Sequence, residues 1–172
     1  MSSLRVLLSE EEIQARVREM GAEIDRDYPH GDLHLVCILK GACFFLADLA
    51  RAVHRDTFVD FMGISSYGKD KSTSGEVKVT KDLDFSVEGA DLLIVEDIVD
   101  SGVTLSYLIH LLEQRKPRSI RIAALLDKPD RRQRPVQVSY VGFRIADEFV
   151  VGYGLDYAER YRNLRDICIL AP

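Results

Sequence analysis

Leu92-Leu93-Ile94-Val95-Glu96-Asp97-Ile98-Val99-Asp100-Ser101-Gly102-Val103-Thr104 is the stretch on which the fold turns. The four leading apolar residues read as a buried strand that runs straight into two carboxylates. A third carboxylate follows, then a short Ser/Gly/Thr loop, and Leu105, Leu108, Ile109 and Leu112 mark the buried stripe of a helix. Such carboxylates can accept hydrogen bonds from sugar hydroxyls, or hold a hard Mg²⁺ that engages those hydroxyls. The loop and the helix start offer backbone N–H groups and the positive end of the helix dipole to a phosphate. A solvated acidic turn is the plain alternative, but acids, small residues, Gly and Thr fall in the order one sugar phosphate needs. Neither a Gly-x-x-x-x-Gly-Lys-[Ser/Thr] loop nor a Gly-x-Gly-x-x-Gly turn is present.

Working outward, 172 residues suit one domain with a sizeable core, spanning 1–172. A composition 47% hydrophobic and 30% charged is that of an ordinary soluble globular protein. The net charge of −5 argues against general nucleic-acid or membrane-surface binding. No apolar run approaches membrane-spanning length, and the first residues lack a signal-peptide pattern. Cys37, Cys43 and Cys168 lie in apolar surroundings without metal spacing, so they read as reduced core residues of a cytoplasmic protein. His30, His34, His54 and His110 show no ligand pairing and read as structural.

Ser9-Glu10-Glu11-Glu12 is a capping box, and Ile13, Val17, Met20 and Ile24 then recur on one helical face. Leu33 to Leu39 reads as a strand, followed by Lys40-Gly41 and a helix over about Ala42 to Val53. Further strands are expected at Val59–Ser65, Leu92–Val95, Ile120–Leu126, Ser139–Phe143 and Phe149–Gly152. Strands alternating with helices, in near-continuous apolar runs, predict an α/β fold with a central, mainly parallel sheet flanked by helices on both faces. Sheets of this kind bind ligands at the carboxyl ends of their strands. Lys40-Gly41, Glu96-Asp97 and Asp127-Lys128 each fall just past an expected strand end, so all three should share one rim. From about Ser66 to Asp91 the composition turns polar and glycine-containing, with Val77, Val79 and Leu83 able to form short strands. A segment this long in a compact domain reads as a flexible lid.

The quoted run resembles the phosphoribosyl-pyrophosphate (PRPP) signature of the type I phosphoribosyltransferases. Leu39-Lys40-Gly41, Ser66-Tyr67, Leu126-Asp127-Lys128-Pro129 and the tail from Asp147 to Tyr157 further resemble the 6-oxopurine (hypoxanthine/guanine) branch. The likeness runs from about Leu35 to Leu170, with Ala42 where relatives commonly carry glycine and Gly154 where alanine is frequent. It implies a small hood built from the chain ends and a homodimer or homotetramer. It also implies Mg²⁺-dependent transfer of the phosphoribosyl group from PRPP to N9 of hypoxanthine and/or guanine in purine salvage.

Carried over residue by residue, Glu96 and Asp97 serve the ribose hydroxyls and their Mg²⁺. Neighbours in an extended strand point to opposite faces, so one should bind more directly than the other. Asp100 is the general base against purine N7. Ser101, Gly102, Val103 and Thr104 cradle the 5′-phosphate. Lys40 and Gly41 form the pyrophosphate loop, where the Leu39–Lys40 peptide can be cis in relatives. Arg162 is the matching pyrophosphate-contacting arginine, with Arg160 and Arg165 as the competing choices by spacing. Ser66 and Tyr67 sit at the base of the lid and can close on the pyrophosphate. Lys128 donates to purine O6, Phe149 stacks on the base, Val150 reads its edge through the backbone, and Asp156 lies near a second Mg²⁺ and the 2-position.

Two other readings compete. One is a relative preferring xanthine. The other is an RNA-binding regulator on the same fold, supported by the basic interval Arg115, Lys116, Arg118, Arg121, Lys128, Arg131, Arg132 and Arg134. The overall negative charge weighs against it.

Overall fold

The computed structural model describes residues 3–66 and 77–171. The opening segment Leu4–Leu8 is strand β1, followed by helix α1 at Glu10–Asp27. Ser9 caps α1 reciprocally: its hydroxyl accepts from the Glu12 N–H at 3.3 Å, and Glu12 accepts from the Ser9 N–H at 2.8 Å. Strand β2 spans Leu33–Leu39, α2 Cys43–Ala52, β3 Thr57–Ser66, β4 Val77–Lys81 and β5 Asp91–Val99. Then come α3 at Val103–Glu113, β6 at Ser119–Asp127, β7 at Tyr140–Arg144, β8 at Val150–Val151 and β9 at Ile167–Leu170.

Six strands form the main sheet in the order β4-β3-β2-β5-β6-β7, parallel throughout except for the antiparallel edge pair β3/β4. The period-2 alternation of a strand divides the core in two. Leu33, Leu35, Cys37, Leu93 and Val95 pack with Ile13, Met20, Ile24 and Phe45 of α1 and α2. Val36, Ile38, Leu92 and Ile94 face the other way, against Leu105, Leu108 and Leu112 of α3. The edge strand β7 has its free carbonyls covered by Arg16 of α1, whose guanidinium donates to Val141 O at 2.7 Å and Gly142 O at 3.2 Å. Covering an edge in this way protects it from pairing with another chain.

Several expectations needed correction. Strand β8 is not part of the parallel sheet: it pairs antiparallel with β9, and β9 with β1, forming the expected hood from the two chain ends. β1 and β9 are too short to show periodicity by themselves. No α-helix joins β6 to β7; a 3₁₀ turn at Pro129–Arg131 suffices. Cys37 and Cys168 are buried as expected, but Cys43 opens α2 and is exposed. Tyr67 and most of the polar tip of the expected lid lie outside the described residues. On its return side, the buried Asp60 carboxylate accepts from the Asp84 N–H at 2.9 Å and the Phe85 N–H at 3.3 Å.

Candidate active site

The acidic pair lies inside β5, not past its end. β6 goes on pairing alongside, Glu96 opposite Ala124 and Val99 opposite Asp127, so the strand runs four residues beyond the apolar run. Consecutive strand residues point to opposite faces. Asp97 faces the α2 side, so close to Gly41 that a Cβ there would lie 1.8 Å from its Oδ2. Glu96 faces the α3 side, lining a narrow crevice with Val99, Asp100, Gly102, Thr104 and Leu105. Burial pushes the Glu96 carboxyl well above the usual range, reinforced by Asp97 and then Asp100. Burial likewise pushes Asp97 up to about 6, opposed by the Ile98 N–H that donates to it at 2.8 Å and by Arg162. Both acids therefore gain from a nearby cation.

The loop after β5 is shaped for an anion. Gly102 occupies the N-cap of α3 at φ +76°, a left-handed conformation that favours glycine. A Cβ there would stand 2.6 Å from the Arg134 carbonyl. The first N–H groups of a helix have no carbonyl partner within it. Ser9 caps α1, whereas α3 has no side-chain cap. Asp100 is exposed and accepts from the Ser101 N–H at 2.5 Å, and the Ser101 hydroxyl accepts from the Val103 N–H at 3.4 Å. Asp100 is thus not the helix cap.

On the other side of β5 a cavity of about 550 Å³ is lined by Asp97, Ile98, Asp100, Lys128, Arg131, Asp147, Glu148, Phe149, Val150, Leu155 and Asp156. Lys128 follows directly on β6 and is anchored by its N–H to Val99 O at 2.9 Å. Its side chain is only 12% exposed and donates to Glu148 O at 2.6 Å, with Asp147 3.6 Å away. Phe149 is 53% exposed, so it is not a core residue, and meets Tyr157 edge-on at 5.7 Å. Val150 is buried.

Beyond Asp97 lies the loop 152–162, with left-handed φ at Tyr153, Ala158, Glu159 and Tyr161. Arg162 donates to Gly154 O at 2.7 Å and lies 3.1 Å from Asp156 Oδ1. Its Nε is buried without a protein partner. Arg165 instead reaches Glu10 at 3.3 Å and is 80% exposed, and Arg160 is exposed. Of the three arginines, only Arg162 stands beside Asp97. Lys40 follows β2 across a cis Leu39–Lys40 peptide and pairs with Glu159 at 2.9 Å. Ser66 closes β3.

Among the described residues, no three His, Cys, Asp or Glu side chains group closely enough to cage an ion. Glu96 and Asp97 sit back to back and Asp156 is a separate donor. One or two carboxylates with water and substrate oxygens is the arrangement Mg²⁺ accepts, so these residues fit a cation arriving with a phosphorylated substrate.

Arg132 has a role that its sequence context does not signal, where it stands only as one cation of the basic interval. Its guanidinium pairs with the buried Asp127 at the end of β6 and donates to Asp100 O at 3.0 Å and Val136 O at 3.2 Å. It thereby ties the Asp100 loop to the segment after Lys128. Nothing in its spacing distinguishes it from Arg131. Much of the basic interval is similarly occupied: Arg115 pairs with Asp82, Arg118 with Asp91, Arg121 with Asp27, and Lys128 and Arg131 with Asp147.

Residues 6–158 match the family described as the phosphoribosyl transferase domain. The hypoxanthine-guanine phosphoribosyltransferase of Bacillus subtilis is 55% identical over 170 residues, 98% of this chain and 93% of that protein. The hypoxanthine-guanine phosphoribosyltransferase of Mycobacterium tuberculosis (strain H37Rv) is 52% identical over 173 residues, 97% of this chain and 86% of that one. A solved hypoxanthine-guanine phosphoribosyltransferase from Bacillus anthracis, with a HEPES molecule in its active site, superposes with a TM-score of 0.93 at 43% identity. The match covers 97% of this chain and 99% of that one. Fold, rim and full-length likeness agree: the chain belongs to the phosphoribosyl transferase domain family and, within it, to the hypoxanthine-guanine phosphoribosyltransferases.

Proposed function

We propose that this chain transfers the 5-phosphoribosyl group of PRPP to N9 of hypoxanthine and/or guanine, giving IMP or GMP and pyrophosphate. The observation that carries the reading is one cavity lined at once by Asp97, Asp100, Lys128, Phe149, Val150 and Asp156, with Asp100 also lining the crevice of Glu96, Gly102 and Thr104. A flat base and a sugar phosphate brought to those two spaces meet at Asp100. The names of the relatives support the choice of base.

A ribosyl carbon losing pyrophosphate gains positive charge while the leaving group gathers negative charge, so the work is positioning and electrostatics. Ser101, Gly102, Val103 and Thr104 hold the 5′-phosphate through the uncapped start of α3. Glu96 and Asp97 hold the ribose hydroxyls from opposite faces of β5. Lys40, Gly41 and Arg162 take the pyrophosphate, Arg162 through its planar fork. Ser66 and Tyr67, at the base of a lid over about 66–91, close on it. Lys128 donates to purine O6, rewarding an oxo group and rejecting adenine, whose 6-amino group is itself a donor. Phe149 offers its exposed face to the ring, Val150 its backbone, and Asp156 the floor near the 2-position. Asp100 accepts the proton as N9 attacks. Asp97 with Asp156 on one side of β5, and Glu96 on the other, would each hold Mg²⁺ together with substrate oxygens and water, and the bound ion would supply charge neutralisation of the diphosphate. The same resemblance supports a cytoplasmic homodimer or homotetramer of single-domain chains spanning 1–172.

The test incubates the protein with PRPP, Mg²⁺ and hypoxanthine, guanine, xanthine or adenine in turn, following ultraviolet absorbance. Nucleotide from hypoxanthine or guanine and none from adenine is the expected result. Xanthine as the sole substrate would move the reading to that relative. Failure with every purine, together with a salt-dependent RNA shift, would replace it with the regulator.

A further inference from the structure

Glu159 stands between the two cations that the proposed reaction assigns to pyrophosphate. One carboxylate oxygen accepts from Lys40 Nζ at 2.9 Å and the other from Arg162 Nη2 at 3.2 Å. Its backbone N–H donates to Asp156 Oδ2 at 2.8 Å. A single residue thus links the loop after β2 to the 156–162 turn, across a separation of 119 positions between Lys40 and Glu159.

As a stabilising device the pair is poor. The Lys40 and Glu159 side chains are 69% and 65% exposed, and ion pairs that open to water add little to a fold. Glu159 also adopts φ +63°, with Ala158 at +52° and Tyr161 at +76°, conformations that residues other than glycine adopt at a cost. What the arrangement does offer is mimicry. A carboxylate, like a phosphoryl group, presents two anionic oxygens to two cationic donors.

We infer that Glu159 is a resident competitor for the diphosphate: its carboxylate takes the Lys40 and Arg162 donors that PRPP and pyrophosphate need, weakening capture and hastening release. This rests on the proposed phosphoribosyl transfer. A diphosphate carries more charge than one carboxylate and displaces it. As pyrophosphate departs, Glu159 returns to both cations, so release does not leave them unpaired.

The experiment compares wild type with Glu159→Gln and Glu159→Asp, measuring inhibition by inorganic pyrophosphate and the KM for PRPP and for hypoxanthine. Glu159→Gln removes the charge and should lower the pyrophosphate inhibition constant and the PRPP KM by about two- to fivefold, the scale of exposed ion pairs. The hypoxanthine KM should stay put. Glu159→Asp keeps the charge but draws it back by one methylene, and should also tighten pyrophosphate. Unchanged or weaker pyrophosphate binding in Glu159→Gln overturns the inference. So does a Glu159→Asp protein indistinguishable from wild type beside a tightened Glu159→Gln, because a diffuse field and not contact would then be responsible. Wild type inert with every purine would remove the proposed reaction itself. An active wild type with unmoved variants removes only the role of Glu159.

Discussion

The two faces of β5 are built to hold anions in different ways. On the α3 side the groups come from one unbroken run, Glu96 to Thr104, and the donors are backbone N–H groups at an uncapped helix start. On the α2 side Asp97 meets Gly41, Asp156 and Arg162, drawn from distant segments, and the donors are side chains that hold one another. The first face is set by local backbone geometry and needs few partners. The second exists only when the hood is folded against the sheet, so its charges are exchangeable and its chemistry adjustable. A phosphate that stays on the sugar through the reaction suits the first face, and a diphosphate that must leave suits the second.

Asp100 lines both spaces, so changing it should break the comparison most severely. Asp100→Asn is expected to lower kcat by about 10²–10⁴-fold, the usual cost of a lost general base, with little change in the PRPP KM. Steady-state kinetics decide it, and near-normal turnover would remove Asp100 from that role.

Next in size is Arg132, which fastens the backbone face. Arg132→Met leaves the buried Asp127 without its close partner, Arg144 being 3.9 Å away and exposed. Orphaned buried charges cost several kcal/mol, so a loss of about 3 kcal/mol is expected in denaturant unfolding, with a raised PRPP KM. A loss below about 1 kcal/mol would mean that the Asp100 loop holds its own shape.

Lys128 sharpens the contrast from the base side. Lys128→Met should lower kcat/KM for hypoxanthine by about 10- to 100-fold, the worth of one hydrogen bond to a charged donor, and leave the PRPP KM alone. If PRPP binding fell in parallel, the two faces would not be separable.

The remaining effect, which leaves catalysis aside, concerns Asp97 and pH. Its carboxyl stands at about 6 in the fold, against roughly 3.9 in the unfolded chain. At pH 3 and below both states hold the proton and nothing is lost. Between about pH 4 and 6 the folded state binds more proton than the unfolded, so stability falls as pH rises. Above that window the rise from roughly 3.9 to about 6 costs at most about 3 kcal/mol. Asp97→Asn should therefore exceed wild type in stability at pH 7.5 and match it at pH 3. Equal melting at pH 7.5 would contradict the burial penalty.

How far the sequence was legible follows the same division. The Glu96–Thr104 run could be read because its residues are adjacent and its geometry local. The α1 capping box and the three helices were legible for the same reason. Where β5 ends was not, because Asp and Glu are depleted in strands, and here pairing with β6 overrides that preference. Lys128, Phe149, Asp156 and Arg162 rested on resemblance, since each alone reads as a surface charge or a core aromatic. Arg132, Glu159 and the Gly41–Asp97 contact carry no local signal at all. Their partners lie far along the chain, and only the folded backbone brings them together.

The most direct test of the two-faced site is a crystal structure with IMP bound. The account expects the 5′-phosphate against the Ser101–Thr104 backbone, purine O6 within hydrogen-bonding distance of Lys128 Nζ, and the Asp100 carboxylate beside N7. A nucleotide whose phosphate lies instead at Lys40 and Arg162, with Lys128 turned away from the base, would contradict it.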